Sequence, residues 1–330
     1  MSLRSHLLIF ALLLLLPVMI FVGLLLVKYS TSERARLEEQ AVATAVRTAA
    51  EIDRELASLV TILDTLAAGQ SLARADFRAF HIQATSALTS RKLYVALINA
   101  DDGQQLVNTR VPFGTPLPSS GILGREARQT MLESGRPYIS DLVSGIVAQR
   151  PVLGVAVPVR QGDKTPYMLV IAFDPEHLVG ILRQSDLPHG WAAGVVDRAG
   201  ITIARSHLHE ERVGKPITPD ARREALGERG VAIVTNFQGQ TMFYSQARSK
   251  LAGWLIWTNV PTRIIDAELR KTFWVLTAMG LSGALLSLVL AFTFGRRMAQ
   301  PIQLAVQEAK SLGLGKPSDQ APPPCAKPMT

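Results

Sequence analysis

WAAGVVDRAGITIARS, residues 191–206, predicts two β-strands joined by a tight turn. The apolar runs are Trp191–Asp197 and Ile201–Ser206, and the turn is Arg198-Ala199-Gly200. YVALINADDGQQLVNT, residues 94–109, follows the same plan around Asp101-Asp102-Gly103. Apolar runs separated by an acidic residue and a glycine are typical of paired strands. The sequence therefore predicts two copies of one strand–turn–strand element.

Each copy is followed by a loop, a helix and three strands. In the first copy these are a helix at Ile122–Ser134 and strands at Pro137–Leu142, Val152–Arg160 and Pro166–Phe173. In the second they are a helix at Thr218–Leu226 and strands at Val231–Phe237, Thr241–Arg248 and Trp254–Val260. A helix at Asp174–Ser185, with Asp174 as N-cap, connects the copies. The repeated order predicts an α+β fold whose antiparallel sheets each bury one face against helices.

A long helix is predicted upstream of both copies, from Ser30 to Leu66. The stretch lacks Pro and Gly, and its apolar residues recur at steps of three and four: Val42, Val46, Ala49, Ile52, Leu56, Leu59, Leu63 and Leu66. Two interpretations stay open. The helix packs on its own domain, or it also pairs with its twin in a homodimer through the Ala-rich stretch Ala41–Ala50.

Two long apolar stretches lie outside these elements. Leu7–Val27 and Phe273–Phe294 contain 21 and 22 residues without a charge. At 1.5 Å per residue each covers roughly 30 Å, the thickness of a bilayer's hydrocarbon core. We therefore predict two transmembrane helices, the first an uncleaved anchor because its apolar core exceeds that of a signal peptide. The flanking basic residues are balanced and do not orient the chain.

The formal charge of +8 does not indicate a nucleic-acid partner. Residues 28–272 carry 29 Lys and Arg against 25 Asp and Glu, interspersed and without a basic stripe between aromatics. The G-x-S-x-G, H-E-x-x-H and S-x-x-K motifs do not occur, and His207-x-His209-Glu210-Glu211 is interpreted as a polar loop rather than a metal site. The sequence predicts no catalysis, no cofactor and no metal.

Several short segments resemble the double Cache (PAS-like) sensory modules of bacterial transmembrane receptors, most closely those of HWE-type sensor histidine kinases. In the second copy they are Gly190–Gly200, Ala204-Arg205-Ser206, Val213-Gly214-Lys215 and Ala252-Gly253-Trp254. In the first copy they are Val107-Asn108-Thr109, Ile139-Ser140-Asp141-Leu142 and Val157-Pro158-Val159. Arg296–Ile302 resembles the start of a HAMP linker, although a Pro-rich tail follows instead of a second HAMP helix and an output domain.

This resemblance implies a two-pass protein of the bacterial inner membrane, with residues 28–271 in the periplasm and both termini in the cytoplasm. The expected segments are a cytoplasmic N-terminus (1–6), transmembrane helix 1 (7–27), the stalk helix (28–68), a membrane-distal Cache unit (69–186), a membrane-proximal Cache unit (187–271), transmembrane helix 2 (272–295), a partial HAMP-like helix (296–315) and a disordered tail (316–330).

In double Cache receptors the distal unit usually binds the ligand, which places the candidate site in the first copy. The candidate residues are Tyr94, Asn108, Arg110, Tyr138, Asp141 and Arg150. Arg110 and Arg150 are suited to clamp a carboxylate, and Tyr138 and Asp141 to meet an amine or hydroxyl. The Arg followed by Trp-Tyr of amino-acid-binding Cache domains is not found, which argues against an amino-acid ligand.

The function expected from this layout is sensing of a small periplasmic solute, with a carboxylate-bearing compound as the candidate ligand, as the input module of a two-component-type receptor truncated before its output domain. Small residues at Ala278, Gly280, Ser282, Gly283 and Ala284 suit close helix approach, which favours a homodimer. Two alternatives stay open: a membrane-tethered periplasmic binding module or enzyme without signalling, and the input half of a chemoreceptor or diguanylate cyclase.

Overall fold

The structure is a computed structural model that describes residues 3–119, 122–162, 164–224, 229–265, 270–271, 273–287, 289–290 and 293. The chain divides into two compact units, Met1–Glu33 with Ala267–Thr330 and Arg34–Asp266. The second of these is called the central unit below. No helix among the described residues is both long and apolar enough to cross a membrane. The predicted HAMP-like helix and tail lie outside the described residues.

A 65-residue helix, α1 (Leu3–Ala67), opens the chain and includes the predicted stalk. It is followed by α2 (Gln70–Ala73), α3 (Phe77–Leu88) and the short 3₁₀ turn Thr89–Arg91. Asp76 caps α3 by accepting a hydrogen bond from the Ala79 N–H at 3.0 Å. The sequence analysis predicted the stalk, and it did not predict α2 or α3.

The first repeat is a six-stranded antiparallel sheet. Its strands are β1 (Leu93–Asn99), β2 (Gln105–Asn108), β3 (Tyr138–Ile139), β4 (Val143–Gly145), β5 (Arg150–Gln161) and β6 (Lys164–Phe173), and α4 (Arg125–Ser134) lies between β2 and β3 in sequence. The strand order is β2-β1-β6-β5-β3, with β4 paired to β5. β5 and β6 form the predicted hairpin, closed by pairing of Gln161 with Lys164.

The second repeat is a five-stranded antiparallel sheet that follows the connecting helix α5 (Glu176–Gln184). Its elements are β7 (Ala192–Val196), β8 (Thr202–Arg205), α6 (His209–Arg212), α7 (Pro219–Glu224), β9 (Arg229–Thr235), β10 (Thr241–Arg248) and β11 (Leu255–Pro261). The order β8-β7-β11-β10-β9 matches the first repeat strand for strand. The predicted α+β fold with antiparallel sheets and a long N-terminal helix is confirmed.

The stalk and both sheets share one apolar core. Ile52, Leu56 and Leu59 of α1 belong to the same buried cluster as Val95 of the first repeat and Val195 of the second. Side chains alternate across a strand, so only one face of each sheet can contribute to this cluster. The opposite faces carry separate, smaller apolar clusters.

Two helix boundaries differ from the predictions. The predicted helix at Ile122–Ser134 begins three residues later, as α4, with Gly124 as N-cap. The predicted N-cap role of Asp174 is wrong: α5 begins at Glu176 after Pro175, and no side chain caps it. The carboxylate of Asp174 is instead engaged by two arginines.

Candidate functional site

A cavity of about 20 Å³ lies in the first repeat, on the sheet face away from α1. Leu93, Val95 and Leu97 of β1 pack into the shared core, so the alternate residues Tyr94 and Ala96 face the other side. The complete lining is Tyr94, Ala96, Gln105, Asn108, Arg110, Ile122, Gly145, Ile146, Val147, Ala148, Val152 and Ala172. The segment from Gly145 to Ala148, where β4 turns into β5, forms one wall.

Arg110 is held in this cavity by three contacts. Its guanidinium carbon lies 3.8 Å from the centroid of the Tyr94 ring, a cation–π contact. Its Nη2 donates to Oδ1 of Asp174 at 3.0 Å. Its backbone N–H donates to Oδ1 of Asn108 at 3.0 Å, and Asn108 in turn donates to Gln105 at 2.9 Å. These contacts fix the guanidinium at the cavity with its orientation set.

Arg150 joins the same cluster through the second carboxylate oxygen of Asp174, to which its Nη2 donates. The Asp174 and Arg110 side chains are 10% and 14% exposed, whereas that of Arg150 is 51% exposed. Two guanidinium groups share one carboxylate, so the cluster keeps an excess of one positive charge. Such a cluster attracts a further anion, and guanidinium geometry favours a carboxylate.

The structure brings four of the six candidate residues together. Tyr94, Asn108 and Arg110 line the cavity, and Arg150 reaches it through Asp174. The sequence analysis missed Asp174 as a site residue because its position before a helix favoured an N-cap. The Phe173-Asp174 signal, an acid at the end of a buried strand, was available in the sequence.

Tyr138 and Asp141 lie apart from this cluster and contact the second repeat. Asp141 accepts hydrogen bonds from Nε of Arg198 at 2.9 and 3.1 Å, and the Arg198 guanidinium carbon lies 5.6 Å from the centroid of the Tyr138 ring. Arg198 also donates to the carbonyl of Ile139 at 2.8 Å. In this arrangement both residues join the two repeats.

The cluster is linked to α1 through the start of α5. Asp174 is two residues before α5, and the His177 N–H donates to the Asp174 carbonyl at 3.0 Å. His177 Nε2 lies 2.7 Å from Glu55 Oε1 of α1, which also faces Arg91 at 3.6 Å. A displacement of Asp174 would therefore move His177 and change its contact with Glu55 on the stalk helix.

The first residue of α5, Glu176, faces the buried His209 of the second repeat at 3.9 Å. Neither ring nitrogen of His209 has a hydrogen-bond partner. Burial lowers the pKa of His209 below its usual range and Arg183 acts in the same direction, while Glu176 and Glu210 oppose the shift. His209 is therefore neutral in the folded protein at neutral pH.

We expect this burial to make stability fall in mild acid. The unfolded chain binds a proton at His209 near pH 6.5, before the folded chain does, so stability is complete above about pH 6.5 and is lost as pH falls below it. Thermal melting of wild type and His209→Gln from pH 7.5 to 5 checks this, with the exposed His189→Gln as control. The difference in slope should be confined to His209→Gln. If the melting temperatures of all three proteins fall in parallel as pH decreases, His209 is not the group that causes the loss of stability.

Within the described residues, no three His, Cys, Asp or Glu side chains come together as a metal site. The guanidinium groups of Arg110 and Arg150, with the Asn108 amide and the Tyr94 ring beside them, suit recognition of an anion.

Solved structures share this architecture. The ligand-binding domain of the Pseudomonas aeruginosa PAO1 amino acid chemoreceptor PctB, solved with L-Arg, matches with a TM-score of 0.54 over 69% of this chain and 97% of its own, at 19% identity. The fold is that of a bacterial receptor's ligand-binding domain. The domain of the Pseudomonas fluorescens chemoreceptor CtaA with L-isoleucine matches at 0.54, with 15% identity over 72% of this chain and 98% of its own.

A domain from a histidine kinase type of receptor has a similar, Cache-like fold. The extracellular domain of rpHK1S-Z16, assigned as a histidine kinase, matches with a TM-score of 0.52 and 12% identity, over 71% of this chain and 96% of its own. No protein-family model and no curated protein matches the sequence. At such identities the likeness concerns the fold, and the ligand has to be argued from the residues of this chain.

Proposed function

We propose that this chain is the input module of a bacterial transmembrane receptor that senses a small extracytoplasmic solute in its first repeat. The observation that carries the proposal is the cluster of Arg110, Arg150 and Asp174 at a cavity of a Cache-like fold. The structural neighbours come from chemoreceptors and from a histidine kinase. The proposal therefore concerns the input module and not a particular output domain.

The ligand class that suits the cluster is a small carboxylate. The excess positive charge and the oriented Arg110 guanidinium favour an anion, and Tyr94 and Ile122 supply apolar contact for its carbon skeleton. The neighbouring domains were solved with amino acids, L-Arg in PctB and L-isoleucine in CtaA. Amino acids and simple carboxylates are therefore the first compounds to test, although the Arg-Trp-Tyr pattern is missing here.

Binding requires the cavity to widen. A volume of about 20 Å³ holds roughly one or two waters, far less than an amino acid. The wall best placed to move is the turn between β4 and β5, because Ile146 is exposed and Arg150 directly follows the turn. A ligand carboxylate that takes Arg150 and Arg110 from Asp174 would loosen the start of α5.

Signal transmission follows from the position of α5 between the cluster and the stalk. Loosening of Asp174 changes the contact of His177 with Glu55 of α1. A ligand can drive such a change only by binding one of two arrangements more tightly. We propose that Leu7–Val27 and Phe273–Phe294 anchor the central unit in the bilayer as a two-pass protein, with α1 as stalk and a homodimer as the signalling unit. The exposed apolar side chains in these stretches, such as Leu24 and Trp274, support this.

The test is ligand binding to the full chain in lipid nanodiscs, measured by calorimetry against a panel of amino acids and small carboxylates. We expect saturable binding that weakens by about 10- to 100-fold in Arg110→Gln, because a charged hydrogen bond contributes this much. Arg74→Gln removes an exposed arginine outside the cavity lining and should bind like wild type. A panel without any binder, or equal affinity in Arg110→Gln, would contradict the proposal.

A further inference from the structure

The second repeat contains a larger cavity than the first, of about 50 Å³. It too lies on the sheet face away from α1, because Tyr244 and Trp257 face it while Val195 and Ile256 belong to the shared core. This volume has room for roughly three to five water-sized groups. The lining is Thr202, Arg205, Ile217, Thr218, Ala221, Val234, Thr235, Asn236, Phe237, Tyr244, Trp257 and Asn259.

The two cavities occupy equivalent places in the two repeats. Asn108 of the first cavity pairs with Ala96 across β1 and β2, and Arg205 of the second pairs with Gly194 across β7 and β8. In each repeat the hydroxyl residue that follows accepts a hydrogen bond from the neighbouring strand, at 2.9 and 3.0 Å. Arg205 therefore stands where the first repeat has Asn108.

A second pair of lining residues also occupies equivalent positions in the two repeats. Ala172 pairs with Tyr94 across β1 and β6, and Asn259 pairs with Ala192 across β7 and β11. Ala172 lines the first cavity and Asn259 the second. At both equivalent positions the second repeat carries the more polar or more basic residue, which indicates a site rather than a packing defect.

Arg205 brings a positive charge to the second cavity. Its Nε is buried without a hydrogen-bond partner, and its guanidinium carbon lies 4.9 Å from the centroid of the Trp257 ring. Burial and the nearby positive charge of Arg212 lower the pKa of Arg205 from its usual value. No acidic side chain of the described residues forms an ion pair with either arginine.

Arg212 reinforces this charge from behind the cavity wall. Its guanidinium carbon lies 3.3 Å from the centroid of the Phe237 ring, and its Nε is also buried and unpartnered. Burying a guanidinium without an acid or a complete set of acceptors is costly. In the first repeat Asp174 offsets that cost, and among the described residues of the second repeat no acidic side chain pairs with Arg205 or Arg212. An anion from outside would supply what is missing.

Asn259 requires a hydrogen-bond donor, whereas Arg205 requires an acceptor. Its side chain is 8% exposed, and Oδ1 is buried in the cavity wall without a donor. A buried amide oxygen without a donor costs about 1–3 kcal/mol. A bound molecule satisfies both demands if it carries an anionic group for Arg205 and a hydroxyl or ammonium donor for Asn259.

Two aromatic rings, those of Trp257 and Tyr244, lie on the same sheet face beside these polar groups. Gly194 lets the Trp257 ring lie directly on β7, since a Cβ there would stand 2.4 Å from Trp257 Cζ2. Tyr244 stacks on the same ring at 6.4 Å between centroids and 27° between planes. This surface suits a short carbon skeleton rather than an inorganic ion.

We propose that the second repeat binds a small α-hydroxy or α-amino carboxylate, with the carboxylate on Arg205 and the hydroxyl or ammonium group on Asn259. The site is separate from the one in the first repeat and does not depend on it.

The experiment is calorimetric titration, with matched probes, of the full chain carrying Arg110→Gln in lipid nanodiscs, because this variant weakens carboxylate binding at the first repeat and leaves the second repeat unchanged. Lactate and glycine carry the donor, propionate and acetate lack it, and inorganic phosphate tests for a simple anion site. We expect lactate or glycine to bind at least about tenfold more tightly than its matched probe, because Asn259 is satisfied only by the donor.

Variants locate the binding. Arg205→Gln and Asn259→Leu should each weaken the bound probe by about 10- to 100-fold. Arg223→Gln removes an exposed arginine of the same repeat and should leave the affinity unchanged. Because Arg205→Gln removes an uncompensated charge, its melting temperature without ligand should equal or exceed that of wild type, which separates lost binding from misfolding.

Three results would overturn the proposal. The first is that neither lactate nor glycine binds. The second is that their affinity survives both Arg205→Gln and Asn259→Leu. The third is that phosphate or propionate binds as tightly as lactate, since the cavity would then recognise charge alone.

Discussion

Asp174→Ala should lower the free energy of unfolding of the central unit by about 2–4 kcal/mol, because it leaves Arg110 without its counter-charge in a largely buried position. The value is below that of a fully buried pair, since the Arg150 side chain is half exposed. Chemical denaturation followed by circular dichroism measures the change.

The same variant opens room for a carboxylate from solution. Acetate should raise the melting temperature of Asp174→Ala by several degrees relative to chloride at equal ionic strength, and should have a smaller effect on wild type. Asp220→Ala is the matched control, because its ion pair with Arg223 is exposed and is expected to contribute about 0.5 kcal/mol or less. If Asp174→Ala is as stable as that control, Arg110 does not depend on Asp174.

Leu56→Ala should destabilise the central unit by about 2–5 kcal/mol, because Leu56 of α1 is fully buried and its loss leaves a cavity. Leu56 belongs to the core cluster that α1 shares with both repeats, and it is in the same part of the helix as Asp53, which accepts from the Lys250 N–H, and Glu55, which contacts His177. Both repeats should therefore lose stability together. Tryptophan fluorescence reports mainly on the second repeat, which contains Trp191, Trp254 and Trp257, and amide exchange in β1 reports on the first.

Ile82→Ala is the control for this prediction, since Ile82 on α3 is 60% exposed and its truncation leaves no cavity. We expect it to change stability by less than about 1 kcal/mol. Separate transitions of the two repeats in Leu56→Ala would show that the shared core does not couple them.

The elements of the candidate site were predictable where the signal is local. Alternation of apolar residues and the turn at Asp101–Gly103 locate β1 and β2, so Tyr94 and Asn108 could be placed on adjacent strands. Arg110 and Arg150 were chosen for their chemistry. Their common partner was not predictable, because Asp174 is 64 and 24 residues away from them.

Tyr138 and Asp141 show the limit of the same reasoning. Their position in a pocket-forming segment and their polarity suggested ligand contact, and the neighbouring second repeat provides Arg198 for both. Sequence spacing carries no information on which repeat faces which segment. Arg205 of the second repeat was missed for the converse reason: a charged residue in a strand is normally interpreted as exposed.

What the sequence determined by itself is the repeated strand order, the long N-terminal helix and the two apolar stretches. Each rests on periodicity or run length, which neighbouring residues in the chain express directly. The tertiary structure decided which charges meet. It places Arg110 and Arg150 on one carboxylate, and it brings Arg205 close to Arg212 with no ion-pair partner for either in the part of the chain that the structure describes. Burial raises the free-energy cost of an unpaired charge, because the charge loses its contact with water. The residues that can pair with it are distant in sequence and come close only in the folded sheet.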